Sequence, residues 1–267
     1  MRRIIGILSL VLMASCCAQH KLPHSEVPGP SSEKVLTLVS YNVGVFGKYM
    51  DDSCPEVVQF LQSVKADAVC MNELDSCNTR HNEYQLKRVA QAMGWADFHF
   101  AKALDYAGGS YGEGVLTREH IKRTDIIDLP KFDGAETRCV AVVETDRYIL
   151  ACTHLDHRSE EAAAHQAALI NEWFTKNYSG SPKPVFLTGD MNALPESNPI
   201  KELEKRWTRV STTDFTFSTK KPSKCIDYIF FLTAAKSVTV RKAMVCSGEQ
   251  MVQLSDHFPT MVEVSWL

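Results

Sequence analysis

Pro184-Val185-Phe186-Leu187-Thr188-Gly189-Asp190-Met191-Asn192 is a short apolar run that breaks at a glycine and delivers an acid and an amide two positions apart. Three apolar residues and a β-branched threonine after a proline describe a buried strand. In an extended segment residues i and i+2 project to the same side, so Asp190 and Asn192 address one space. A carboxylate beside a hydrophobic core is costly unless a partner or a cation satisfies it. The stretch predicts a buried strand whose end opens on a polar site.

The same arrangement recurs outward in both directions. Strand-like 35–41 ends at Asn42, 68–71 leads into Asn72 and Glu73, and 148–153 runs into His154, with Asp156 two residues on. Strand 226–232 carries Asp227, and Asp256 and His257 immediately precede strand 258–264. The remaining predicted strands are 115–117, 140–144 and 238–245. Between them, Ser53-Cys54-Pro55-Glu56 has a capping-box pattern with proline in the first turn, followed by Val57, Phe60, Leu61 and Val64 at helical spacing. Leu86, Val89, Ala90 and Met93 mark a second helix that Gly94 stops. A third starts at Ser159, places Glu160 and Glu161 in its first turn, and runs to about Lys176. Strands early and late with helices between them predict an α/β fold of mixed sheets packed face to face with helices outside.

The 267 residues, 45% hydrophobic and 23% charged, suit one large globular domain. The N-terminus differs from the rest: Arg2 and Arg3 precede an apolar run over 4–14, then Ser15, Cys16 and Cys17. That run is too short to span a bilayer and reads as an export signal. Leu12-Met13-Ala14-Ser15-Cys16 resembles a bacterial lipobox, which makes 1–16 a signal segment and Cys16 a lipid anchor to the membrane. An ordinary secretory peptide with incidental cysteines is the alternative. Residues 17–33, with Pro23, Pro28 and Pro30, read as a flexible tether, and 34–267 as the catalytic domain. The expected location is periplasmic or cell-surface, as a bacterial lipoprotein.

Removing Arg2 and Arg3 lowers the 29 basic residues by two against 32 acids, taking the formal charge from −3 to −5. Proteins that grip long stretches of nucleic acid carry a basic footprint, so this balance argues against a polynucleotide substrate. Of the nine cysteines, Cys70, Cys139 and Cys152 lie in apolar runs and read as small buried hydrophobes, while a Cys54–Cys77 disulfide is left open. Carboxylates and amide oxygens are hard ligands suited to Mg²⁺, Mn²⁺ or Ca²⁺. Zinc is disfavoured because no pair of histidines has ligand spacing on a helix.

Six blocks together resemble the endonuclease/exonuclease/phosphatase superfamily: Ser40-Tyr41-Asn42, Met71-Asn72-Glu73, Thr153-His154-Leu155-Asp156-His157, Leu187-Thr188-Gly189-Asp190-Met191-Asn192, Ile226-Asp227-Tyr228 and Ser255-Asp256-His257-Phe258-Pro259. They span nearly the whole expected mature chain in the family's order. The resemblance implies a four-layer α/β sandwich and hydrolysis of phosphoester bonds. It implies that Glu73 is the principal metal carboxylate, helped by Asn42 and Asp256. Asp227 would orient His257 and favour its charged form, and His257 would activate water or hold a phosphoryl oxygen. Asp190 and Asn192 would position water and phosphate, and His154 would donate to the phosphoryl group or protonate the leaving oxygen. Arg138 and Asp156 are weaker candidates for substrate binding.

Three residues depart from the family pattern: Asn72 stands where glutamine is usual, Gly44 where some nuclease branches carry a further acid, and Cys225 where arginine often precedes Ile226-Asp227-Tyr228. The last two weaken a nuclease assignment. Gly108-Gly109-Ser110-Tyr111-Gly112 reads equally as a plain turn or a phosphate cradle. The expectation is an exported, metal-dependent hydrolase of a small or lipid-linked phosphoester; a secreted DNase or RNase and a catalytically silent binding protein of the same fold are the alternatives.

Overall fold

Successive residues of the central strands alternate between two different cores, and this alternation defines the layers. A computed structural model describes residues 33–267. The expected signal segment, Cys16 and the tether up to residue 32 lie outside the described residues. In chain order the elements are β1 (Lys34–Asn42), α1 (Cys54–Ser63), β2 (Ala68–Ser76), α2 (Gln85–Met93), β3 (Asp97–Tyr106), β4 (Gly109–Thr117), β5 (Arg123–Leu129) and β6 (Arg138–Glu144). They continue with β7 (Ile149–His154), α3 (Glu160–Tyr178), β8 (Val185–Asp190), α4 (Asn198–Glu204), β9 (Trp207–Arg209), β10 (Asp227–Leu232), β11 (Thr239–Val245) and β12 (Thr260–Trp266).

Two six-stranded sheets run in the orders β11-β12-β1-β2-β4-β3 and β5-β6-β7-β8-β10-β9. Each is mixed, with β1–β2 and β7–β8 the parallel pairs. Leu36 and Leu38 of β1 and Cys70 of β2 meet Cys139, Leu150, Cys152, Phe186 and Ile229 between the sheets. Their neighbours Val39, Tyr41, Val69 and Met71 turn the other way, onto α1 and α2. Ile149, Ala151, Val185 and Leu187 likewise face α3 and α4. Helix, sheet, sheet, helix is therefore the layer order, and the period of two in each strand serves both interfaces. Each fully buried Leu, Val or Phe contributes about 1.5–3 kcal/mol to holding the layers together.

Register places the polar strand ends. His154 pairs with Asp190 across β7–β8, and Asp190 pairs with Asp227 across β8–β10, so three site residues stand in one row. On the other sheet Asn42 pairs with Asn72. A bulge in β2 between Met71 and Leu74, with Glu73 at φ 59°, turns the Glu73 side chain out of the alternation.

Local signals held in part. Ser159 accepts from the Ala162 N–H at 3.1 Å as the cap of α3, and Gly94 takes φ 70° to end α2. The capping box before α1 does not form: Ser53 Oγ donates to the Leu254 carbonyl at 2.8 Å, and Asp52 Oδ1 accepts from the Cys54 N–H instead. Cys54 and Cys77 are free thiols, so that pairing is corrected; Cys70, Cys139 and Cys152 are buried in the sheet interface as expected. Residues 107–108 form a hairpin turn between β3 and β4, and the residues after it are strand rather than loop.

Candidate active site

The row His154, Asp190, Asp227 meets Asn42, Glu73, Asp256 and His257 from the facing sheet at one end of the sandwich. Glu73, His154, Asp190, Asn192, Asp256 and His257 line one cavity of about 390 Å³. Asn42 and Asp227 lie just beneath it, bonded to the lining.

His257 and Asp227 form the tightest part. His257 Nδ1 is 2.9 Å from Asp227 Oδ2, and its Nε2 faces Asp190 Oδ2 at 3.5 Å. Burial disfavours the imidazolium, but Asp227 and Asp190 outweigh it and lift the pKa to about 10, the direction expected from the sequence. Asp190 is held by the Asn192 N–H on Oδ1 at 2.8 Å and by Asn42 Nδ2 on Oδ2 at 3.1 Å. Its pKa is raised, by burial first, with the Asp227 charge adding and the His257 charge opposing.

Asn42 faces the site with its donor. Its Oδ1 accepts from the Gly44 N–H at 3.1 Å, which fixes the amide, and Nδ2 reaches Glu73 Oε1 at 3.0 Å and Asp190. Its amide nitrogen therefore ties two carboxylates together, while Oδ1 takes the Gly44 N–H and keeps a second lone pair. Asn192 is held in a similar way. Its Nδ2 donates to the Leu155 carbonyl at 3.0 Å and meets His154 Nε2 at 2.8 Å, so both its protons are engaged. It orients His154 and leaves only Oδ1 for a water. Burial, then the Arg138 charge, holds the His154 pKa well below 6.5, so this imidazole is neutral.

Arg138, a weak candidate from sequence, is 2% exposed and lines the cavity. Its guanidinium lies 3.4 Å from His154 Nδ1, 3.3 Å from His157 Nδ1 and 3.0 Å from Glu136, and its Nε has no partner. A buried cation so incompletely answered is suited to an anion. Asp156 is placed elsewhere. It accepts from the N–H groups of Ala135, Arg158 and Ser159, which fastens a loop, and it does not line the cavity.

Asn72, the departure from glutamine, knits both sheets. Its Oδ1 accepts from the Asp190 N–H at 3.0 Å, and Nδ2 donates to Glu113 at 2.6 Å and to the Thr153 carbonyl at 2.8 Å. Glu113 was missed. It is fully buried, and burial pushes its pKa to about 8 although the Asn72 bond pulls the other way. The available signal was an acid between Gly112 and Gly114 in an apolar run. Gly112 is required, since a Cβ there would lie 2.0 Å from the Ala101 carbonyl oxygen, whereas one on Gly114 would press on the Leu74 and Leu86 side-chain ends at 2.6 Å. Tyr111, from the glycine-rich stretch 108–112, also lines the cavity, as do Phe217 and Lys224, which no sequence motif marked.

Among the described residues, donor atoms of Asp190, Asp227 and His257 lie within 4.8 Å of one another, a grouping able to hold an ion. Here the imidazole bridges one oxygen of each acid, while Asp227 Oδ1 is left buried without a partner. Glu73 and Asp256 fit a hard cation better. Both line the cavity, and Asp256 Oδ1 is buried with no hydrogen-bond partner.

The model of the Endonuclease/Exonuclease/phosphatase family matches residues 39–257. No curated protein matches the chain. Among solved structures, an endonuclease/exonuclease/phosphatase from Bacteroides vulgatus is similar at TM-score 0.71 and 18% identity, over 86% of this chain and 98% of that one. A Bacteroides thetaiotaomicron mannosyl-6-phosphatase is similar at TM-score 0.69 and 19% identity, over 86% of this chain and 100% of that one. A D. rerio TDP2 solved with a single-strand DNA product is similar at 0.65 and 18%, over 88% and 99%. At these identities the likeness is one of fold.

Proposed function

The chain belongs to the endonuclease/exonuclease/phosphatase family, and on that premise we propose that it is an exported, divalent-metal-dependent hydrolase of a small or lipid-linked phosphoester. The observation that carries this is the convergence on one 390 Å³ cavity of a buried Asp227–His257 pair, Asp190, neutral His154, Arg138 and the Glu73–Asp256 carboxylates. In-line displacement at phosphorus gathers negative charge on the phosphoryl oxygens and releases a proton from the attacking water.

Each residue has a place in that reaction. The raised pKa of Asp190 makes its carboxylate a competent acceptor for the water proton, and Asn42 with the Asn192 N–H fixes its direction. His257, kept cationic by Asp227, donates from Nε2 to a phosphoryl oxygen. Arg138 takes a second oxygen from the opposite side of the cavity. A divalent cation such as Mg²⁺, Mn²⁺ or Ca²⁺ held by Glu73 and Asp256 would supply Lewis-acid stabilisation of the same charge. The alternative of a catalytically silent binding protein is disfavoured by a buried ion pair and a raised acid gathered at one cavity.

The size of the cavity and the excess of acids support a small or lipid-linked substrate over a polynucleotide. Export and anchoring at Cys16 remain part of the proposal and rest on the N-terminal sequence. A panel of inositol phosphates, nucleotide sugars, sphingomyelin and oligonucleotides, with and without Mn²⁺, tests it. Turnover of a small or lipid phosphoester well above that of oligonucleotides is expected; prompt plasmid nicking at moderate salt would reverse the preference.

A further inference from the structure

β1 ends at Asn42 in a turn that the backbone resists. Gly44, Val45 and Phe46 take φ of 52°, 53° and 57°, and a β-branched residue at positive φ is an outlier. Hydrogen bonds over-determine the turn: Gly44 N–H to Asn42 Oδ1 at 3.1 Å, Gln85 Nε2 to the Val45 carbonyl at 2.7 Å and Ser53 N–H to the Phe46 carbonyl at 2.8 Å. Its effect is to fold the chain back so that Lys48 stands over the strand end. Lys48 Nζ lies 2.7 Å from Asp256 Oδ2, and Asp256 lines the cavity together with Glu73.

The turn favours glycine at its first position, through its positive φ more than through lack of space. A Cβ on Gly44 would lie 3.3 Å from Lys48 Cβ, 3.4 Å from Ser255 Oγ and 3.6 Å from Asp256 Oδ1, at a φ that side chains rarely adopt. Gly44 thus lets the turn close, and the closed turn brings the positive charge of Lys48 onto Asp256. Two carboxylates facing one cavity repel, and the ammonium offsets that repulsion. Its stem is 43% exposed, so it can leave for solvent without disturbing the core.

We propose that Lys48 is the resident counter-cation of Asp256 in the Glu73- and Asp256-lined cavity, which a divalent ion must displace or tolerate, so that the turn over 44–48 lowers the metal affinity of the protein. Whether the ammonium swings away or stays, one positive charge opposes another. This rests on the metal-dependent reading above, and the test separates the two. Mn²⁺ binding to the full chain is measured by electron paramagnetic resonance of the free ion, for wild type, Lys48→Gln, Lys48→Arg and Glu73→Gln.

Lys48→Gln is expected to bind Mn²⁺ roughly fivefold more tightly than wild type, a factor within reach of one partly exposed ion pair. Lys48→Arg should match wild type, and Glu73→Gln should bind more weakly. If wild type binds, Glu73→Gln loses affinity and Lys48→Gln is unchanged or weaker, the role of Lys48 is overturned while the metal seat stands. If Glu73→Gln binds as wild type does, or neither binds, the seat itself is overturned and Lys48 with it.

Discussion

His257 presents Nδ1 to Asp227 Oδ2 at 2.9 Å, joining the segment before β12 to the first residue of β10 through a buried ion pair. Asp227 is itself fixed by register against Asp190, so the imidazole cannot move without losing a partner. Asp227→Asn keeps the shape and removes the charge that holds His257 cationic. The expected result is a fall in kcat of about a hundredfold or more with a smaller change in KM, since the lost interaction acts on charge that develops in the transition state. Steady-state hydrolysis of bis-p-nitrophenyl phosphate with Mn²⁺ measures it, and a kcat within twofold of wild type would remove the pair from the mechanism.

Glu113 gives stability a pH dependence. Its pKa rises from 4.5 to about 8 on folding, because burial disfavours the carboxylate. Between those values the folded chain keeps a proton that the unfolded chain releases. The contribution is therefore complete below pH 4.5 and is lost as pH rises through 8, a swing of roughly a few kcal/mol. Glu113→Gln retains an acceptor for Asn72 and cannot ionise. Calorimetry of the metal-free protein should show its Tm gaining on wild type between pH 5 and pH 8.5; a difference that stays constant with pH would contradict the assignment.

Asn72→Ala leaves the Asp190 N–H, Glu113 and the Thr153 carbonyl without a shared partner in a place water does not reach. Orphaned buried groups of this kind cost about 1–3 kcal/mol each before relaxation, so a net loss of about 3 kcal/mol is expected. Urea unfolding reads it as a lower midpoint at unchanged m value. A midpoint shift worth under about 0.5 kcal/mol would mean that the sheets are aligned by packing alone.

Much of this architecture was legible because buried strands announce themselves. β1, β2, β6, β7, β8, β10 and β12 are internal strands with apolar runs, and each was expected. The strands missed, β3, β5 and β9, all lie at sheet edges. There one side of the ladder is open, and segments such as Arg123-Thr124-Asp125-Ile126-Ile127-Asp128-Leu129 mix charge with apolar residues in a way that composition reads as loop. α4 spans seven residues, too short for a periodic signal.

The site divides along a similar line. Asp190, Asp227, His154 and His257 stood at strand ends in recognisable blocks, so sequence order was enough to gather them. What sequence could not supply was the direction of each polar group. For Asn42 and Asn192 the Gly44 N–H and the Leu155 carbonyl claim one end of each amide and decide how it is turned, which no local sequence shows. Asp156 sits two residues from His154 yet turns to backbone donors because the loop before β6 approaches it. Glu113 and Lys48 reach the site by a crossing of strands and a left-handed turn, neither of which has a local motif.

The central claim is that these strand ends form one phosphoester-cleaving centre, and release of p-nitrophenol from bis-p-nitrophenyl phosphate by wild type and Asp190→Ala, each in Mn²⁺ and in excess EDTA, tests it most directly. Wild type should turn over in Mn²⁺ and stop in EDTA, and Asp190→Ala should lose about a thousandfold in kcat. Undiminished hydrolysis by Asp190→Ala, or by wild type in EDTA, would contradict the account.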